Sequence, residues 1–201
     1  MRALILNCTL PTSPEQSSTE ALLNVVAMAM RQDMIDVDVV RVADRDVQPR
    51  VTDDEGVGDA WPGILALLRE AEILVIATPT WPGPTSSVAE RVLDRMDALI
   101  SETDDAGRPF AYNRVGGIIV TGNEDGAHRV IADVAHSLID IGYTVPGQAW
   151  TYWNMGPGPG PSYLETDHGP EWSERAGRTA AANLAAVARA LAGRPMPAPG
   201  D

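Results

Sequence analysis

The sequence predicts an α/β domain, a doubly wound sheet of five parallel strands with helices on both faces. Three observations carry this prediction. Short β-type runs alternate along the chain with segments of helical period. The run Ile73–Ala77 is apolar and β-branched without interruption, as a strand buried on both faces requires. A length of 201 residues suits one such domain, which can bury enough apolar surface to fold without disulfides or a structural metal. The domain is expected over 1–192, with a Pro/Gly-rich tail at 193–201.

Ala3–Leu6 is a short apolar run that breaks at Asn7-Cys8-Thr9 and reads as the first strand. After a polar loop holding Pro11 and Pro14, Leu22, Val25, Val26 and Ala29 fall at helical spacing, so Ser18–Arg31 reads as a helix. Val37–Val42 alternates as an outer strand. Beyond an acidic, glycine-containing loop, Asp59 is placed to cap a helix through Ile64, Leu67 and Leu68. After the strand at Ile73–Ala77, Pro79–Pro84 interrupts the chain, and Val88, Val92, Met96 and Leu99 define a third helix. Val115–Val120 reads as the fourth strand, and its Gly116-Gly117 pair implies close packing there. Val130, Val134, Leu138 and Ile141 make a fourth helix ended by Gly142. A fifth strand is expected within Tyr143–Trp150, an irregular loop at Gly156–Gly160, and a last helix through Ala180, Leu184, Val187 and Leu191.

Composition narrows the function. Fifteen basic residues against 28 acidic ones leave a formal charge of −13, which repels nucleic acid and anionic membranes. The same charge is compatible with docking onto basic redox partners, and with solubility alone. No run reaches the roughly 18 apolar residues of a membrane helix. Cys8 is the single cysteine, so neither an intrachain disulfide nor a multi-cysteine metal site is possible. The apolar start is too short for a signal-peptide core, and a cytoplasmic protein is expected.

In a doubly wound sheet of order 2-1-3-4-5 the ligand lies beyond the carboxyl ends of the strands, at the loops after the first, third and fourth. Those loops have the most unusual compositions in the chain. The first ends in Ser17-Ser18-Thr19-Glu20 at a helix start, where free N–H groups and hydroxyls suit a phosphate dianion; a simple helix cap accounts for the same residues. The second, Thr78-Pro79-Thr80-Trp81-Pro82-Gly83-Pro84-Thr85-Ser86-Ser87, is stiffened by prolines and offers an aromatic face suited to a flat tricyclic ring. The third is Thr121-Gly122-Asn123-Glu124-Asp125-Gly126-Ala127.

At these loops the chain resembles the flavodoxin-like NAD(P)H-dependent FMN reductases, relatives of flavodoxins and quinone reductases. Thr78–Ser86 followed by Arg91-Val92-Leu93-Asp94-Arg95-Met96-Asp97 is similar to that family's SPxYxGxxSxxxKxFLDR segment, and Ser17–Glu20 to its phosphate loop. Thr121-Gly122-Asn123 resembles its third flavin loop. The resemblance covers Met1 to Val145. It implies that Thr9, Ser17, Ser18 and Thr19 hold the FMN phosphate, that Pro79, Thr80, Trp81 and Gly83 line the isoalloxazine, and that Thr121, Gly122, Asn123 and Gly126 meet its pyrimidine side. It also implies NAD(P)H as co-substrate, a quinone, flavin or other small molecule as acceptor, and a homodimer or larger assembly. The first loop is longer and richer in proline than the family's usual form. Many relatives carry a cysteine-rich segment after the second strand; Arg41–Gly58 has none, so no iron–sulfur site is expected.

No Ser/His/Asp constellation stands out, which a flavin enzyme does not need. Cys8 reads as a buried, inert thiol and His128 as an exposed histidine, while His136 and His168 lack a spaced metal-site partner. Tyr152, Trp153 and Asn154 open a long aromatic and Gly/Pro-rich segment, Ala149–Gly169, that reads as a cover for the flavin or as an interface. Two other functions fit the fold: a flavodoxin-type electron carrier serving a protein partner, favoured by the acidity, and an FMN-free scaffold subunit.

Overall fold

The computed structural model describes residues 1–166 and 171–199. Within them lie five strands, β1 (Arg2–Asn7), β2 (Asp36–Arg41), β3 (Ile73–Pro79), β4 (Val115–Thr121) and β5 (Trp150–Trp153). Between and after them run α1 (Ser18–Gln32), α2 (Trp61–Glu70), α3 (Ser87–Met96), α4 (Ala127–Ile141) and α5 (Glu171–Gly193). The strands pair in parallel in the order β2-β1-β3-β4-β5, the doubly wound sheet expected from the sequence. The register sets Asn7 beside Ala77, Pro79 beside Thr121 and Thr121 beside Trp153. The carboxyl ends of four strands therefore finish along one edge of the sheet.

β3 shows why an uninterrupted apolar run belongs at the centre. Its Leu74 and Ile76 enter the layer covered by α2, α3 and α4, while Ile73, Val75 and Ala77 face α1 and α5. The glycine pair of β4 is a packing requirement. A Cβ on Gly116 would lie 2.9 Å from Leu138 Cδ1, and one on Gly117 would lie 2.7 Å from Leu184 Cδ1. Helices α4 and α5 thus press onto β4 from opposite faces.

The fifth strand lies later than the sequence suggests, at Trp150–Trp153 instead of within Tyr143–Trp150. Thr144 makes one bridging pair with Val115, but Pro146 has no N–H to continue the ladder. A turn then closes from Ala149 N–H to Pro146 O, with Gln148 in the left-handed region at φ 56°. Pairing resumes at the aromatic residues. Beyond α5, the proline-rich end is tied back once, by the Met196 N–H on Asn113 Oδ1.

Asp59 is also displaced from its expected role. Helix α2 begins at Trp61 and Ala60 takes the cap position. The Asp59 carboxylate instead accepts N–H groups of Trp61, Glu55 and Gln48 at 3.1, 3.1 and 3.3 Å. It also meets the Arg95 guanidinium at 2.8 Å, with both side chains fully buried. Arg95 further donates to the carbonyls of Gln48 and Thr52 and lies over the Trp61 ring. A local cap was legible; a second claim on the same carboxylate, made 36 residues away, was not.

Burial by itself raises the Asp59 carboxyl. The Arg95 hydrogen bond and the three backbone N–H groups outweigh it and hold the group down at about 2, against an ordinary 3.8. A depressed carboxyl contributes stability above its unfolded pKa and loses it as pH falls through the folded value. We expect Asp59→Asn to destabilise the protein by about 3–5 kcal/mol near neutrality, because it strands a buried guanidinium. Urea unfolding of both proteins checks this, and the difference should shrink as pH falls from 3.8 towards about 2.

Candidate functional site

The site is built where β1, β3 and β4 end. At the end of β1 the buried Asn7 turns its Oδ1 back onto the Thr9 N–H, at 3.2 Å. The chain then loops out and returns at Ser17, the N-cap of α1, whose hydroxyl accepts the Glu20 N–H and donates to Thr9 Oγ1 at 2.9 Å. Thr19 Oγ1 meets Thr121 Oγ1 at 2.7 Å, which joins the first loop to the third. Thr9, Ser17, Thr19 and Thr121 are all buried. This is a lining of hydroxyls that carries no net charge.

The second loop is fastened at both ends. The Thr80 N–H bonds to Thr121 O at 2.9 Å, and the Trp81 N–H closes a turn on Pro84 O at 2.8 Å. Ser86 caps α3 through the Ala89 N–H and donates its own hydroxyl to Cys8 O at 2.7 Å. Trp81 is left 57% exposed at the rim. Thr80 is buried, and its Oγ1 has no hydrogen-bond partner among the described residues. An unpaired buried hydroxyl costs about 1–3 kcal/mol, which a polar ligand relieves. Gly122 is required beside it, since a Cβ there would fall 2.4 Å from Thr80 Oγ1.

Together these loops enclose a cavity of about 530 Å³, within the range of ligand sites. Ten of the expected residues line it: Thr9, Ser17, Ser18, Thr19, Pro79, Thr80, Trp81, Thr121, Gly122 and Asn123. Gly83 and Gly126 do not. They meet each other instead, and a Cβ on Gly126 would lie 2.8 Å from Gly83 O. Both have positive φ, so each lets its loop turn and the two loops touch.

The wall also holds residues that sequence reasoning missed: Leu10, Pro11, Gln16, Pro82, Glu124, Pro159 and Ser162. The first five flank the expected ones. Pro159 and Ser162 come from the Gly/Pro loop after β5, which is pinned by the Gly160 N–H on Asn123 O. Its Gly158 packs so tightly that a Cβ would lie 2.7 Å from Glu124 Cα. Pro159 and Ser162 both lie within Ala149–Gly169, whose aromatic and Gly/Pro-rich composition was the available signal without singling either of them out.

Tyr152, Trp153 and Asn154 are not on the cavity wall. Trp153 is buried, stacks on Trp172 at 5.8 Å between centroids, and donates Nε1–H to Pro161 O at 3.2 Å. It props the wall loop from behind. Burial pushes the Cys8 thiol far up, which leaves it inert as expected. His128 is exposed and touches the Tyr152 ring edge-on, away from the cavity. His168 and the end of the Ala149–Gly169 segment lie outside the described residues.

Glu124 is the one ionisable side chain among the lining residues, and no lysine or arginine is among them. Among the described residues no group of three or more metal-ligating side chains converges, and no helix is long and apolar enough to cross a membrane. What the arrangement offers is a helix start with hydroxyls at one end and a proline-stiffened aromatic rim beside them. That donor set fits a phosphorylated flavin.

Known proteins similar to this chain include handlers of flavin phosphates. The 8-demethyl-8-aminoriboflavin-5'-phosphate synthase of Streptomyces davaonensis is 39% identical over 175 residues, covering 82% of this chain and 68% of the synthase. The crystal structure of RosB with its bound intermediate 8-demethyl-8-formylriboflavin-5'-phosphate superimposes with a TM-score of 0.91 at 35% identity, over 98% of this chain and 82% of that one. The divalent metal cation transporter MntH of Mycobacterium bovis is 39% identical over 173 residues, 84% of this chain, which spans 25% of that relative's length. A sequence model of the NADPH-dependent FMN reductases matches residues 1–157. The chain therefore belongs to the NADPH-dependent FMN reductase family, flavin-dependent oxidoreductases of flavodoxin-like fold that work with FMN and take NAD(P)H as co-substrate.

Proposed function

We propose that this chain takes hydride from NAD(P)H on FMN held in the cavity and passes electrons to a quinone, a free flavin or another small acceptor. The observation that carries this reading is the meeting, in one cavity, of the hydroxyl-lined start of α1 with the Trp81 rim. FMN when bound supplies the redox chemistry, so the protein needs no nucleophile or general base of its own. The chain's residues bind, orient and exclude water.

The N–H groups and hydroxyls of Ser17, Ser18 and Thr19, with Thr9, receive the phosphate; the partial positive charge of the helix start does the work of a cation there. Pro79, Thr80 and Trp81 hold the ring edge, and Thr121, Gly122 and Asn123 its pyrimidine side. Gly83 and Gly126 act through backbone geometry, by letting the second and third loops touch. Domain limits of 1–192 and a cytoplasmic setting belong to the same reading.

A second reading has a specific observation in its favour. Likeness to RosB at a TM-score of 0.91 supports a riboflavin-phosphate derivative as substrate in this same cavity. The two readings differ in what becomes of the flavin.

Apoprotein titrated with FMN should quench flavin fluorescence at micromolar concentration. NADH or NADPH should then bleach the bound flavin anaerobically, with recovery on adding a quinone. Mass spectrometry of the extracted flavin should show an unchanged mass, and a changed mass would favour the synthase-like reading. If neither nucleotide bleaches the flavin while a reductase protein does, the electron-carrier function replaces the enzyme.

Thr19→Val should weaken FMN roughly ten- to a hundredfold and leave riboflavin nearly unaffected, because only FMN has the dianion that this hydroxyl serves. Calorimetric titration of both ligands measures it. Equal weakening would place the phosphate elsewhere.

For assembly, we propose a homodimer or larger oligomer through the half-buried Trp150 and Tyr152 and the exposed Trp172, which cluster beside the outer strand β5. Light scattering should report a mass well above the 21.4 kDa of one chain.

A further inference from the structure

The spacing Ser-x-x-Glu occurs twice at the edge of the cavity, and the two copies are used differently. At Ser162–Glu165 the reciprocal cap is closed. The Ser162 N–H donates to Glu165 Oε2 at 2.8 Å, while the Ser162 hydroxyl takes the Glu165 N–H. At Ser17–Glu20 only half of it forms. The Ser17 hydroxyl accepts the Glu20 N–H at 3.2 Å, but the Glu20 carboxylate is turned away and bonded to the guanidinium of Arg41. Among the described residues, no group accepts the Ser17 N–H.

Arg41 closes β2 and its side chain is 6% exposed. Besides Glu20 it holds the carbonyl of Glu15 at 2.9 Å, within the loop that leads into α1. The guanidinium thus spans the loop and the first helical turn. Glu20 is the one acidic residue in that turn. A carboxylate at this position and a phosphate oxygen compete for the same cap N–H, and an unpaired carboxylate there repels a dianion.

We infer that Arg41 is a positioning residue for the phosphate-binding turn: by holding Glu20 it keeps the Ser17 N–H open to an oxyanion and neutralises the carboxylate of the first helical turn. The inference rests on the reading that the FMN phosphate sits at the start of α1. It explains how a wall without a cation can take a dianion, since the cation stands behind the wall and acts through a neighbour.

The test is a double-mutant cycle read as binding affinity, with FMN and riboflavin titrated into the apoprotein of each variant. Arg41→Gln frees Glu20 and should weaken FMN about tenfold or more, with riboflavin unchanged. Glu20→Ala should leave FMN affinity unchanged or tighter. The double variant Arg41→Gln, Glu20→Ala should recover most of the loss, because nothing remains to occupy the Ser17 N–H. A double variant as weak as Arg41→Gln alone would overturn the inference and assign Arg41 to the Glu15 carbonyl. Unchanged FMN affinity in Arg41→Gln would overturn it as well. Should that variant not fold, as thermal unfolding would reveal, Arg41→Met with and without Glu20→Ala supplies the same comparison, since methionine keeps the apolar stem and removes the charge. If the wild-type protein binds riboflavin as tightly as FMN, it is the phosphate reading that fails, a result distinct from every outcome of the cycle.

Discussion

The parallel sheet imposes one constraint from which the site follows. β1 and β3 lie side by side, yet the helices that follow them depart to opposite faces, α1 onto one core layer and α3 onto the other. Chains that leave neighbouring strands in opposite directions open a crevice at the strand ends, and loops are the only covering available there. The rigid register then sets the position of every group on that edge. Asn7, Pro79 and Thr121 occupy it because apolar pairing behind them leaves no freedom to slip. The glycines of β4 belong to the same constraint, since without them α4 and α5 could not close on the sheet from both sides.

On that edge the polar groups are mostly uncharged, Glu124 being the one ionisable side chain among the lining residues. A chain of formal charge −13 lines this cavity with hydroxyls and a helix start, which together suit an anion without a cation on the wall. Its two buried arginines are spent elsewhere. Arg95 is enclosed with Asp59 beneath the loop after β2, where it ties together a segment that has little regular structure of its own. Arg41 lies closer to the site, against the first turn of α1. A buried pair of this kind is weak evidence for stability, but removing one partner is costly, so each fixes a geometry.

The aromatic residues divide in the same way between wall and support. Trp81 alone among the tryptophans lines the cavity. Trp153 and Trp172 stack behind the Gly/Pro loop that carries Pro159 and Ser162, and the Trp153 indole N–H anchors Pro161. A loop that rich in glycine and proline cannot build a surface from its own regular bonds. It takes its shape from Asn123 on one side and from Trp153 on the other.

What the sequence determined alone is what repeats within a segment or is confined to one loop. Helical spacing placed α1, the unbroken run placed β3, and Gly142 ended α4, because each signal lies within a few residues of its effect. The three loops that line the cavity were legible for the same reason, since their composition is local. Tertiary structure decided whatever depends on a distant partner. Thr19 meets Thr121 across 102 residues, and Asp59 serves Arg95 as well as the first N–H of its own helix. Gly83 and Gly126 turn out to touch each other and not the cavity, and within the segment read as a cover or an interface it is Pro159 and Ser162, not Tyr152, Trp153 and Asn154, that reach the cavity wall. Nor does the spacing Ser-x-x-Glu disclose that it closes on itself at Ser162 and is held open at Ser17. A hydrogen-bonding side chain has more than one acceptable partner, and the fold alone decides which of them arrives first within reach.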